Sequence, residues 1–245
     1  MAEAAVRVRG WVLDRWPAPK PFDFQVMPGE LWMLVGAVNS GRRELIRSLA
    51  GLVEPRAGRL ELFGRDVARL GPRARARLHR RIGVVLEQPG LVPAWSVFEN
   101  LALLVRYHRL APGGAVEDYV VEFVESCRLP RAILSRLVSD LSPLESQWIS
   151  LLRALVIRPR LLLVSAYLPQ ETLVAGYGVW AFFAEVVEPM NMAILVDAGP
   201  QALPVGAETR LLVMAEGTLL AAGRARELAG HPDATVRGQV RFDHA

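Results

Sequence analysis

Residues 31–45 read LWMLVGAVNSGRREL. An apolar run of strand length, Leu31 to Val35, meets a turn bounded by Gly36 and Gly41 and then a helical period that continues to Ala50. A strand that ends in such a turn and re-enters as a helix calls for an α/β layer fold, because the helix must pack back on the sheet the strand belongs to. The outer glycines have the spacing of GxxxxGK[ST]. In that loop backbone N–H groups and a lysine hold phosphates, while a Ser or Thr hydroxyl holds Mg²⁺. The last two positions are here Arg42 and Arg43.

An arginine can replace the lysine as a cation, so Arg42 alone decides little. Arg43 decides more, because a guanidinium cannot coordinate a metal. Two like unit charges about 4 Å apart repel by roughly 4 kcal/mol at an effective dielectric near 20, and a divalent ion roughly doubles this. Gly36, Asn39, Gly41, Arg42, Arg43 and Glu44 therefore read as a vestigial nucleotide loop. A turn kept for packing outweighs a working Mg²⁺-ATP site.

The remaining pattern extends this layer. Strand-like runs fall at Val6 to Arg9, Phe22 to Val26, Arg59 to Phe63, Ile82 to Leu86, Leu161 to Val164, Ala193 to Val196 and Leu211 to Ala215. Helical periods fall at Arg42 to Ala50, Val97 to Tyr107, Ala115 to Cys127, Pro143 to Ile157 and Leu173 to Val187. Pro89-Gly90 and Ser142-Pro143 mark turns at the edges of a helical block. With 245 residues, 52% hydrophobic and 22% charged, the chain has the composition of one globular domain. Its apolar stretches are far shorter than the roughly 20 residues that span a bilayer. The start, Met-Ala-Glu-Ala-Ala, lacks the features of a secretory signal, so a cytosolic location is expected. One cysteine, Cys127, makes neither an internal disulfide nor a zinc cluster and is assigned to helix packing.

Net charge is +4, and Lys20 is the only lysine. The densest basic run is Arg73, Arg75, Arg77, Arg80 and Arg81. No aromatics interleave it, as base stacking would require. A solvated helix face near lipid head groups or a partner subunit is the favoured reading, and no nucleic-acid partner is expected.

From the phosphate loop onward the chain resembles the ATP-binding cassette family over roughly Val6 to Leu228. Leu49-Ala50-Gly51-Leu52-Val53-Glu54-Pro55 with Gly58 is similar to a family turn, and Gly64-Arg65-Asp66-Val67 to the hairpin after it. Ile82 to Leu91 is similar to the strand entering the glutamine loop, and Arg153-Ala154-Leu155 with Arg158-Pro159 and Leu161-Leu162-Leu163 to the signature helix and the following strand. The resemblance implies a RecA-like parallel-sheet core with an antiparallel β edge and an inserted helical lobe. It implies one domain, with a core of about residues 1–88 and 155–228, a lobe of about residues 89–154 and a tail at residues 229–245.

Carried over residue by residue, the departures fall on the chemistry. The glutamine-loop position is Glu87, with Gln88 one place late. The LSGGQ signature becomes Leu141-Ser142-Pro143-Leu144-Glu145, which reads instead as a helix start with Ser142 as N-cap, Pro143 at the first position and Glu145 closing a capping box. The metal aspartate and general-base glutamate become Ser165 and Ala166, the dimer-spanning loop reads Leu168-Pro169-Gln170-Glu171-Thr172, and the switch histidine becomes Ala198. For the adenine-stacking aromatic the counterpart is Trp11, with Trp16 the runner-up. Packing of Trp11 at a sheet edge weighs equally with base stacking. No metal site is expected. Metal-free ATP is the one cofactor that Gly36, Gly41 and Arg42 still allow.

Gly223-Arg224-Ala225-Arg226-Glu227-Leu228 with Pro232-Asp233 and Val236-Arg237 resembles the ending of ATPase subunits of bacterial phospholipid transporters of the mammalian-cell-entry (MCE) type. That resemblance implies a peripheral subunit on the cytoplasmic face of the inner membrane, working in a dimer with itself or a paralogue. It docks on a permease and is coupled indirectly to a periplasmic lipid-binding subunit. Glu87, Gln88, Val92, Trp95 and Phe98 are the expected permease contacts. The leading expectation is a catalytically inactive subunit of this fold. A slow or merely nucleotide-binding ATPase competes with it, and a nucleotide-sensing module unattached to membranes is third.

Overall fold

The computed structural model describes residues 3–165, 182–183, 190–199 and 204–242. Along the chain its strands are β1 (Val6–Val12), β2 (Phe22–Val26), β3 (Leu31–Val35), β4 (Ala57–Leu62), β5 (Arg65–Asp66), β6 (Ile82–Val85), β7 (Leu161–Val164), β8 (Ala193–Asp197), β9 (Pro204–Val205), β10 (Arg210–Ala215), β11 (Thr218–Arg224) and β12 (Arg241–Phe242). The longer helices are α1 (Arg42–Leu49), α2 (Pro72–His79), α3 (Val97–His108), α4 (Val116–Ser126) and α5 (Pro143–Leu155). The contacts divide the chain into two compact units. One comprises Met1–Leu78, Leu163–Tyr167 and Ala193–Ala245, the other His79–Leu162 and Leu168–Met192.

In the first unit an antiparallel sheet has the order β2-β1-β4-β5. On β2, Phe22, Phe24 and Val26 are buried while Asp23 and Gln25 face water, the alternation of a sheet with one wet side. The main sheet has the order β11-β10-β3-β8-β7, and β7 joins this unit through Leu163 and Val164. β3 lies parallel to both β10 and β8. Every residue of β7 and β8 is buried, as expected of parallel strands covered on both faces. The fold class is therefore the expected α/β one, with a parallel core and an antiparallel edge. β11 is an addition to the sequence reading. Its turn from β10 uses Glu216 and Gly217, with φ of 47° and 73°, the left-handed pair that a two-residue hairpin requires.

The second unit holds the helical lobe. α3 packs on α4 and α5 around Leu101, Val105, Val120, Phe123 and Ile149. Ser96 and Ser142 each begin a helix with a complete capping box, closed by Glu99 and Glu145. Such caps contribute about 1 kcal/mol each. The helix expected at Leu173 to Val187 lies outside the described residues, apart from Phe182 and Phe183. Among the described residues no helix is long and apolar enough to cross a membrane.

Candidate functional site

β3 delivers the chain into the glycine-bounded loop, and α1 leaves it. Gly36 has φ of 151°, and a Cβ there would sit 2.2 Å from the Met214 carbonyl oxygen on β10. Gly41 has φ of 106°, and its added Cβ would meet the Gly217 α-carbon at 3.0 Å. Both glycines are thus fixed by backbone crowding as well as by conformation. Asn39 takes the left-handed region at φ of 61°, and the Ser40 N–H closes the turn on the Ala37 carbonyl at 3.1 Å.

Arg42 occupies the inside of this loop. The residue is 6% exposed, its Nη1 donates to the Ala37 carbonyl at 2.8 Å and to Ser40 Oγ at 3.0 Å, and it also donates to the Gly36 carbonyl. Nε donates to Asp197 Oδ1 at 2.7 Å. A phosphate-binding loop turns N–H groups toward an anion. Here two loop carbonyls and a hydroxyl converge on a cation, so the lining has the opposite polarity.

Asp197 is not among the candidates named from the sequence. It is buried at the end of β8, where the β3–β8 register pairs it with Leu34 at the same end of the sheet as the loop. Besides Arg42 it accepts from the Gly199 N–H at 2.8 Å, and its Oδ2 lies 3.9 Å from Arg43 Nε. An acid closing an otherwise apolar strand was the available signal. Arg43 itself is an exposed cation at the mouth of the loop, in a depression lined by residues 38–44 and Arg15. Glu44 pairs with Arg15 at 2.6 Å.

These donors do not fit Mg²⁺. The position of the metal-binding hydroxyl carries a guanidinium, and both nearby carboxylates are engaged, Asp197 by Arg42 with Arg43 facing it and Glu44 by Arg15. Ala198 is buried, with its N–H on the Leu34 carbonyl at 3.0 Å, and its methyl offers no group for proton or phosphate chemistry. Ser165 is buried after β7. Ala166 and the Leu168 to Thr172 loop lie outside the described residues.

Of the two aromatics, Trp11 packs. It is 3% exposed, and its Nε1 donates to Ser48 Oγ of α1 at 3.3 Å, so its ring has no open face for a base. That corrects its first place among the aromatics. Trp16 is half-buried and lies against Gly217, where an added Cβ would approach its ring to 2.5 Å. Gly217 in turn donates its N–H to the Ser40 carbonyl of the loop at 2.9 Å. Spacing alone pointed to Trp11 because it ignored which side of β1 the ring faces.

The remaining candidates sit in the second unit. The Glu87 carbonyl accepts from Gln147 Nε2 of α5 at 2.5 Å, and Gln88 is exposed. Buried Asn100 holds the segment before α3, accepting from the Val92 N–H at 2.8 Å and donating to the carbonyls of Val92 at 3.2 Å and Ser96 at 2.9 Å. Trp95 is exposed there, and Val92 and Phe98 are half-buried. At the signature position Ser142 Oγ accepts from the Glu145 N–H at 3.2 Å, and the Glu145 carboxylate accepts from the Ser142 N–H at 2.8 Å. Arg136 hydrogen-bonds the same carboxylate. Together with the Ser142 N–H it holds Glu145 down at about 2. The first turn of α5 is thus filled by its own acid.

A family model described as ABC transporter matches residues 19–164. A putative 2-aminoethylphosphonate import ATP-binding protein of Salmonella typhimurium is 26% identical over 214 residues, covering 87% of this chain and 56% of that protein. A phosphonates import ATP-binding protein of Alcaligenes faecalis is 36% identical over 157 residues, covering 60% of this chain and 55% of that protein. The chain spans about half the length of these curated relatives. Among solved structures, a dimeric ATP-binding cassette in a post-hydrolysis state with ADP and Pi superposes with a TM-score of 0.71 at 16% identity, covering 89% of this chain and 98% of that one. At this identity the likeness is one of fold.

Proposed function

Because the chain belongs to the ABC transporter family, we propose that it is a transporter subunit whose nucleotide loop is closed by its own arginine, and that it serves its complex without hydrolysing ATP. The supporting observation is the guanidinium of Arg42, buried inside the loop and paired with Asp197. Removing metal ligands and charge-stabilising groups from such a site costs orders of magnitude in rate. The subunit would work at the cytoplasmic face of the inner membrane, docked on a permease through Glu87, Gln88, Val92, Trp95 and Phe98, and paired with a second copy or a paralogue.

Calorimetric titration of the purified chain with ATP, with and without Mg²⁺, tests this directly. No Mg²⁺-dependent binding and no phosphate release above background are expected. A Mg²⁺-dependent ATPase rate that Arg42→Ala abolishes would overturn the proposal.

A second reading has its own observation. The open depression at the loop mouth, with the guanidinium of Arg43 exposed in it, can accept an anion without metal. Binding of ATP in EDTA that Arg43→Ala weakens would favour this reading.

The cargo part of the proposal, phospholipid carried in an MCE-type assembly, rests on the Gly223 to Leu228 segment and its tail alone. The relatives above are named for phosphonate import. Purification of the native complex separates the two. A lipid-binding MCE subunit supports phospholipid, and a solute-binding partner supports import.

A further inference from the structure

One strongly charged surface is used by neither the loop nor the docking residues. Residues 65–77 include Arg65, Arg69, Arg73, Arg75 and Arg77, and their single acid, Asp66, is already shared by Arg59 at 3.2 Å and Arg69 at 3.3 Å. α2 has the sequence PRARARLH, with no acidic residue. Arg73, Arg75 and Arg77 are exposed, and among the described residues their side chains have no ion-pair partner.

At about 100° per residue, Arg73 and Arg77 fall one turn apart on one flank of α2, and Arg75 falls on the other with His79 beside it. Leu78 is the one buried residue of the helix and anchors it to the protein. Around the axis Ala76 and Arg73 lie about 160° and about 140° from Leu78, Arg77 and His79 about 100°, and Arg75 about 60°, and all five are exposed. The helix therefore has a fixed inner edge and a basic outer arc, with no large apolar side chain free to enter a lipid core.

We propose that α2 binds the anionic phospholipid surface of a bilayer, by charge and without insertion. A guanidinium pairs with a phosphate diester through two N–H donors, and arginine clusters of this density are attracted to anionic leaflets. The helix offers no Phe, Tyr or Trp for base stacking, which disfavours single-stranded nucleic acid. Membership of a transporter family puts a bilayer within the working surroundings of the chain. The inference holds whether or not the phosphate loop takes nucleotide.

The test is co-sedimentation of the full chain with vesicles of phosphatidylcholine alone or mixed with phosphatidylglycerol. Binding is expected only to the mixed vesicles and only at low salt, because screening shortens the reach of the surface field. The double variant Arg73→Gln, Arg77→Gln should lower the partition coefficient about 25-fold, at about fivefold for each charge removed. The control Arg9→Gln, Arg47→Gln lowers net charge equally but leaves α2 unchanged, so its loss should be clearly smaller. Absence of binding to the mixed vesicles, or equal losses in the two double variants, would overturn the proposal. So would tighter binding to a DNA duplex than to the vesicles at the same salt, which would assign the arc to nucleic acid.

Discussion

At the scale of single residues, the pair Arg42–Asp197 carries the most consequence. Both groups are buried and hydrogen-bonded, so removing Asp197 leaves the buried Arg42 without its carboxylate. Asp197→Ala should destabilise the fold by about 3 kcal/mol, the cost typical of breaking a buried ion pair. The paired change Arg42→Met with Asp197→Leu should recover most of that loss, as apolar replacements of such pairs do. Urea unfolding of the wild type and the two variants checks both statements, and equal losses in the single and double variants would contradict the coupling. The two arginines were legible in the sequence as departures from GxxxxGK[ST]. Their destination was not, because the partner lies 155 positions away and is brought close only by the β3–β8 register. Trp16 shows the same limit, since its place beside the loop depends on a hairpin turn at Gly217 far along the chain.

At the scale of elements, local signals served best. Ser96 with Glu99 and Ser142 with Glu145 announce helix starts within four residues of sequence, and both capping boxes form. β11 was not legible, because TLLAAGR lacks alternation and Glu216-Gly217 is a weaker hairpin signal than Asn-Gly. The cap at Glu145 makes a pH prediction. Its carboxyl is held at about 2, below its usual 4.5, chiefly by Arg136 and then by the Ser142 N–H. A depressed folded-state value means the stabilisation is complete above the usual range and is lost as pH falls from about 4.5 toward about 2. The wild-type advantage over Glu145→Ala, about 1 kcal/mol near neutrality, should shrink through that window in pH-dependent unfolding. Asn100 makes a second. Asn100→Ala removes three hydrogen bonds from the Val92 segment and should cost about 2 kcal/mol. Amide exchange at Val92 should quicken, and an unchanged rate would show that the segment is held by other contacts.

At the scale of the whole molecule, the α/β pattern of strands and helices was readable from hydrophobic period alone, and the family match over residues 19–164 agrees with it. Function was readable only as a set of departures, because no single residue states what a closed loop does for its complex. In loops of this kind the bound anion is commonly the keystone, and a protein that binds a ligand only when folded gains stability as the ligand rises. Here the keystone is Arg42, carried in the chain itself. Under the proposed function folding would be uncoupled from the energy charge of the cell, and the melting temperature should stay flat from no ATP to millimolar ATP. On that proposal a starving cell that lets its nucleotide pool fall would keep this chain folded, ready before any fuel returns.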